Sequence, residues 1–168
     1  MSNMFSYCKA LTTVDKIDTG SNTNFQYIFY GCAKLRTIPA LDCSSNTSTT
    51  SSYNSPVGNC TNLRNFGGLV GMNKSFYCDS SYVLSYESLL NILNGLADGV
   101  SGQTLTLNKV LVNQLSDDDI AIATNKGWSV SPTKTITSPT VVTDLSQIPS
   151  DTGQITPRSF NFSYYNGV

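Results

Sequence analysis

A short pattern recurs along the chain and limits what it can fold into. Residues 4–18 align without a gap on residues 28–42, an offset of 24. A third copy, looser at its start, begins at Val57, with its cysteine 28 residues after Cys32. Each copy reads Cys-x2-Leu-x2-apolar-x2-apolar: Cys8, Leu11, Val14, Ile17; then Cys32, Leu35, Ile38, Leu41; then Cys60, Leu63, Phe66, Leu69. A spacing of three fits neither the 3.6-residue period of a helix nor the two-residue period of a strand; it suits a coil whose successive turns each send one side chain inward. Repeats of this length cannot bury an apolar face alone and gain a core by stacking. The fold class expected is therefore α/β, a short solenoid of about three coils.

In such a coil the aromatic segments Met4-Phe5 and Ile28-Phe29 are expected to form a short helix on one side, and Leu-x2-Val/Ile a short strand on the other. Cys8, Cys32 and Cys60 then form an internal column, since free cysteine behaves as a small, readily buried hydrophobe. Stacked positions can approach closely enough to crosslink, so disulfides stay open as the weaker alternative. Five cysteines cannot all pair within one chain, and none forms a C-x2-C motif. Cys43 and Cys78 lie outside the repeat phase and read as surface thiols.

These repeats resemble the BspA-like leucine-rich repeats, whose signature runs roughly Met-Phe-x-x-Cys-x-x-Leu-x-x-Ile into a Thr/Ser/Asn-rich turn. The succession that follows, residues 84–96, then Leu105-Thr106-Leu107, then residues 115–128, is similar to the C-terminal part of tail or surface repeat proteins encoded by phages of gut bacteria. The resemblance covers residues 1–131. It implies a leucine-rich-repeat solenoid and a structural protein of the virion, engaged in protein-protein assembly or host attachment. The wider family equally allows a bacterial cell-surface adhesin that binds host protein or glycan.

Local signals support the segmentation into repeats (1–83), a helix-strand-helix-strand cap (84–131) and a Ser/Thr/Pro-rich tail (132–168). Glu87 stands near the start of a first helix with Leu89, Leu90, Leu93 and Leu96 on one face, and Gly95 or Gly99 ends it. Ser116 and Asp119 are in capping-box register for a second helix that Gly127 can close. Residues 104–107 and 128–131 alternate as half-buried strands do. Residues 44–56 carry no charge and one large apolar side chain, and read as a long exposed loop. In the tail Phe160, Phe162 and Tyr164 alternate, with Tyr165 beside them, which suits a strand docked on another chain or packed back on its own domain. Met1-Ser2-Asn3-Met4 already reads as the middle of a repeat, so a preceding part of a longer protein or a neighbouring subunit is expected to cover the first coil.

Composition narrows the chemistry. The chain has 168 residues and a net charge of -1, which gives no basic field for a phosphate backbone and argues against nucleic acid as ligand. No apolar run is long enough for membrane insertion, and no secretion signal is visible. With no histidine, Ser-His and Cys-His nucleophile pairs and His-containing zinc sites are excluded. Only Glu87 and scattered aspartates remain for carboxylate chemistry, and no pair recurs at a convincing spacing, so the expectation is a non-enzymatic protein without catalytic residues, metal or cofactor.

Asp117, Asp118 and Asp119 are explained by the helix dipole rather than by calcium, and Asp15, Asp18 and Asp42 by turn capping. Glycines 67, 68 and 71 lack the strand-helix setting of a phosphate loop. The Asn-x-Ser/Thr triplets at Asn46, Asn59, Asn73 and Asn161 arise readily by chance in a Ser/Thr-rich chain. Tyr7, Tyr27, Tyr30 and Tyr53 with the Asn-rich turns can contact carbohydrate, and can as well be core and turn residues.

Overall fold

A computed structural model describes residues 1–48 and 54–135. The fold is mixed α/β, with short strands joined only in parallel: β1 (Thr37–Ile38) with β3 (Asn65–Phe66), β2 (Leu41–Asp42) with β4 (Leu69–Val70), and β5 (Phe76–Tyr77) with β6 (Gln103–Thr106) and β7 (Trp128–Ser131). The helices are α1 (Tyr86–Gly95), α2 (Lys109–Val112) and α3 (Asp117–Asn125). Thr13 bridges Thr37, which pairs with Asn65, so the spatial register follows the sequence offsets of 24 and 28. Equivalent segments run the same way along the chain, and side-by-side packing of equivalents can only be parallel.

The expected helices on the aromatic side do not form. Met4, Ser6 and Cys8 N–H groups donate three residues back, whereas the alternate amides of Asn3, Phe5 and Tyr7 donate to the carbonyls of Gln26, Ile28 and Tyr30 at 3.0, 2.8 and 2.7 Å. Phe29 and Gly31 donate likewise to Pro56 and Gly58. Left-handed residues at Asn3, Tyr7, Tyr27 and Gly31 break helical bonding every few residues and turn alternate amides toward the next segment.

Of the three repeat cysteines Cys32 and Cys60 are fully buried and Cys8 is exposed. The Cys32 thiol donates to the Phe5 carbonyl at 3.0 Å and the Cys60 thiol to the Phe29 carbonyl at 3.1 Å, each acceptor three residues before the preceding cysteine. The Ser81 hydroxyl continues the series, donating to the Val57 carbonyl at 2.9 Å, and Leu84 follows it as the next buried leucine. Cys8 is exposed and Leu11, Val14 and Ile17 are half-buried; among the described residues the first repeat packs against the second on one side. Cys43 and Cys78 are fully buried, against the surface expectation. Cys78 occupies the core position three residues before Ser81, where Phe29 and Val57 sit in their own repeats, and Cys43 follows Asp42 as buried Thr19 follows Asp18. All five cysteines are free.

Beyond the third repeat α1 replaces the next strand pair. Ser85 caps it, and the Ser88 hydroxyl accepts the Phe66 N–H at 2.8 Å while donating to the Arg64 carbonyl at 2.9 Å, so the edge of β3 is satisfied by a side chain. Leu89, Ile92 and Leu93 form the buried face; Leu90 is half-buried and Leu96 follows as the C-cap. Lys126 Nζ reaches the Asn94 and Leu96 carbonyls at 2.6 and 2.9 Å, placing a cation at the helix C-terminus. The α3 capping box of Ser116 and Asp119 is present as expected, and Gly127, at φ +87°, follows the C-cap Lys126. A single apolar cluster runs from Phe25 to Trp128.

The segment read as an exposed loop is anchored at both ends. Asn46, Asn54, Ser55 and Pro56 are buried, the Asn46 N–H bonding the Cys43 carbonyl and the Ser55 hydroxyl the Tyr77 carbonyl. Short polar side chains here satisfy backbone groups of neighbouring segments, which composition alone does not reveal. Residues 49–53 of that loop and the tail from 136 onward lie outside the described residues. Among the described residues no helix is long and apolar enough to cross a membrane.

Candidate functional site

The aromatic side of the repeats presents tyrosines outward while its neighbours point in. Ile28 and Phe29 are fully buried, and Tyr27 and Tyr30 flank them on the surface. Tyr7 is 63% exposed and meets Tyr30 edge-on, with ring centroids 5.6 Å apart and planes at 77°. Tyr27 meets Tyr30 at 5.1 Å and 80°. The three rings therefore make corners rather than a flat stack.

Two glycines lie against the rings of Tyr7 and Tyr30. A Cβ on Gly31 would lie 2.7 Å from the Tyr7 ring, and one on Gly58 would lie 2.9 Å from the Tyr30 ring, so each tyrosine rests on the backbone of the following repeat. Tyr7 and Tyr27 have φ of 58° and 54°. Left-handed backbone costs a residue with a Cβ about 1–2 kcal/mol. Equivalent positions carry Asn3 before Tyr27, and Gly31 and Asn59 after Tyr7, the residue types that tolerate this conformation best. Tyrosine is thus held where asparagine or glycine would be easier.

Two clefts open on either side of these rings. One, of ≈ 330 Å³, is lined by Asn3, Ser6, Tyr7, Tyr27 and Tyr30. The other, of ≈ 260 Å³, is lined by Tyr27, Tyr30, Ser55, Tyr77, Asp79 and Ser80. Tyr30 Oη accepts from Asn59 Nδ2 at 2.8 Å, which leaves its own proton to donate elsewhere. Tyr53 lies outside the described residues, as do Asn161 and the tail residues Phe160, Phe162, Tyr164 and Tyr165.

The carboxylates are used locally. Asp18 accepts the Gly20 N–H at 3.1 Å, and Asp42 accepts the Ser44 hydroxyl and N–H at 2.6 and 2.9 Å, bonds that hold the Asp42 carboxyl below its usual range. Burial opposes ionisation of Asp119, but hydrogen bonds from Ser116 and Tyr86 and the charge of Lys134 outweigh it and lower its pKa. The same contact raises the pKa of Tyr86, whose hydroxyl donates to Asp119 Oδ2 at 2.8 Å. Asp117 pairs with Lys134 at 3.0 Å. Among the described residues no three His, Cys, Asp or Glu side chains converge as metal ligands would.

Burial pushes the Cys32, Cys43 and Cys78 thiols up and that of Cys60 up to about 12, so these four are thiols rather than thiolates near neutral pH. The glycine run at 67–71 gives its amides to neighbouring segments, Gly67 N–H to the Ile38 carbonyl at 3.0 Å and Gly71 N–H to that of Gly95 at 2.7 Å.

Sequence reasoning singled out the repeat tyrosines but not Tyr77, Asp79 and Ser80, which join them from the next segment. Repeat phase did not mark Tyr77: counted back from Ser81 it falls at the place of Ile28 and Pro56, not of Tyr30. Comparison with protein-family models, with curated proteins and with solved structures gives no match for this chain, so the functional reading rests on its own residues.

Proposed function

We propose that the chain is a non-enzymatic recognition and assembly protein, a short leucine-rich-repeat solenoid of the BspA-like kind, carried as a tail or fibre component of a phage virion. It joins other structural chains there and meets the host surface. The coincidence of sequence period with strand register carries this reading: Thr13, Thr37 and Asn65 lie side by side at the offsets of the repeat, with Cys32, Cys60, Leu35 and Leu63 fully buried and Tyr7 exposed. Such a scaffold offers surface rather than reactive groups.

A second reading, a bacterial cell-surface adhesin for host protein or glycan, is favoured by the outward tyrosines that flank the two clefts. Immunogold electron microscopy with antibody to the chain separates the two. Label on the tails of purified particles is expected; label confined to the bacterial envelope would favour the adhesin, and label on neither would refute both. In the virion reading residues 151–168 dock the chain, so their deletion leaves a folded repeat domain that no longer enters particles. Unchanged incorporation would overturn the docking role.

A further inference from the structure

We propose that the two clefts flanking Tyr27 and Tyr30 form one binding site for a neutral carbohydrate, a short chain of hexopyranose units. The inference rests on the recognition reading and names its ligand class. Among the described residues neither cleft is lined by a lysine or arginine, so none of these residues compensates a phosphate, sulfate or carboxylate. The described lining offers aromatic faces, the hydroxyls of Ser6, Ser55 and Ser80 and the Asn3 amide, with the carboxylate of Asp79 as an acceptor for sugar hydroxyls. A pyranose has one face of C–H bonds and a rim of hydroxyls, and it needs both kinds of surface at once.

The corner geometry supplies them together. With Tyr30 nearly perpendicular to both Tyr7 and Tyr27, a sugar ring laid on one tyrosine face has its rim against the edge of the next. The first cleft lies at the small end of the range for ligand pockets, the scale of a sugar unit, and the shared wall of Tyr27 and Tyr30 lets a chain continue from one cleft to the other. The backbone points the same way. Tyrosine occupies left-handed positions at 7 and 27, whereas the other left-handed positions of these segments carry Asn3, Gly31 and Asn59, and such outliers mark places where function is obtained at the expense of local stability.

The test uses the full chain, calorimetry and amide chemical-shift titration with maltotriose, cellotriose and the trimer of N-acetylglucosamine, with 3'-sialyllactose as the anionic control. At least one neutral trisaccharide is expected to bind in the millimolar range or tighter, shifting the amides of Tyr7, Tyr27 and Tyr30. Tyr27→Asn and Tyr7→Asn should each weaken it by about tenfold or more while the melting temperature stays equal or rises, because asparagine suits the left-handed backbone. Tyr82→Ala, at an exposed tyrosine that lines neither cleft, should leave binding unchanged. No shift with any neutral trisaccharide at about 10 mM, equal binding of the anionic control, or full binding by Tyr27→Asn would each overturn the site. Loss of the glycan result with particle label intact would leave the virion reading standing, and the reverse would separate the two the other way.

Discussion

Leu11, Leu35 and Leu63 hold the same place in successive repeats, yet the structure treats the first differently from the others. Leu35 and Leu63 are fully buried, whereas Leu11 is half-buried in a repeat with one neighbour among the described residues. Replacing Leu63 by alanine removes buried methyl groups from a closed site and leaves a cavity, a change that costs about 3–4 kcal/mol in well-packed cores. At Leu11 much of the transfer term is absent and no closed cavity forms, so Leu11→Ala should cost about 1 kcal/mol. Urea unfolding followed by far-ultraviolet circular dichroism measures both. With a slope of about 2 kcal/mol/M, Leu63→Ala shifts the midpoint down by roughly 1.5–2 M and Leu11→Ala by roughly 0.5 M, the slope itself being unchanged. Equal losses at the two sites, or a Leu63→Ala cost below about 1.5 kcal/mol, would refute the graded stack.

Other outcomes follow from single contacts. Ser81→Cys should be tolerated within about 1 kcal/mol, since a thiol already makes the equivalent bond at Cys32 and Cys60, whereas Ser81→Ala should lose about 1 kcal/mol in the same urea assay; a more stable alanine variant would contradict the column. Under native conditions a thiol-reactive disulfide reagent should titrate Cys8 rapidly and the other four only on unfolding, so two or more fast thiols would show that burial is misassigned. Asp119 has its folded pKa lowered, so its contribution is present above the ordinary carboxylate range and fades as pH falls through the folded value. The stability gap between the parent and Asp119→Asn should accordingly be wide at pH 7 and narrow near pH 2; a gap independent of pH would remove the charge from the explanation.

The mixed α/β class was legible, and the 24- and 28-residue offsets of the sequence reappear in the pairs Thr13 with Thr37 and Thr37 with Asn65. The fourth position of the column was not, since it changes from thiol to hydroxyl at Ser81, and only the buried Val57 carbonyl shows that the two side chains do one job. Cys43 and Cys78 were misread because phase was counted from Cys-x2-Leu alone, although each follows other core positions of the repeat. The aromatic turns were misread as helices because apolar spacing carries no information on the left-handed residues that interrupt them. Cys8 fits the sequence pattern fully and is still exposed. The tyrosines were visible one by one, but their convergence with Tyr77 depends on stacking across a gap that spacing does not reveal.

Backbone proximity across the ladder tests the whole account most directly. Nuclear Overhauser spectroscopy on isotope-labelled protein should give parallel-strand contacts linking Thr37 to Asn65, Ile38 to Phe66, Leu41 to Leu69 and Leu105 to Val130. Contacts in antiparallel order, pairs displaced by one residue, or none between Ile38 and Phe66 would contradict it.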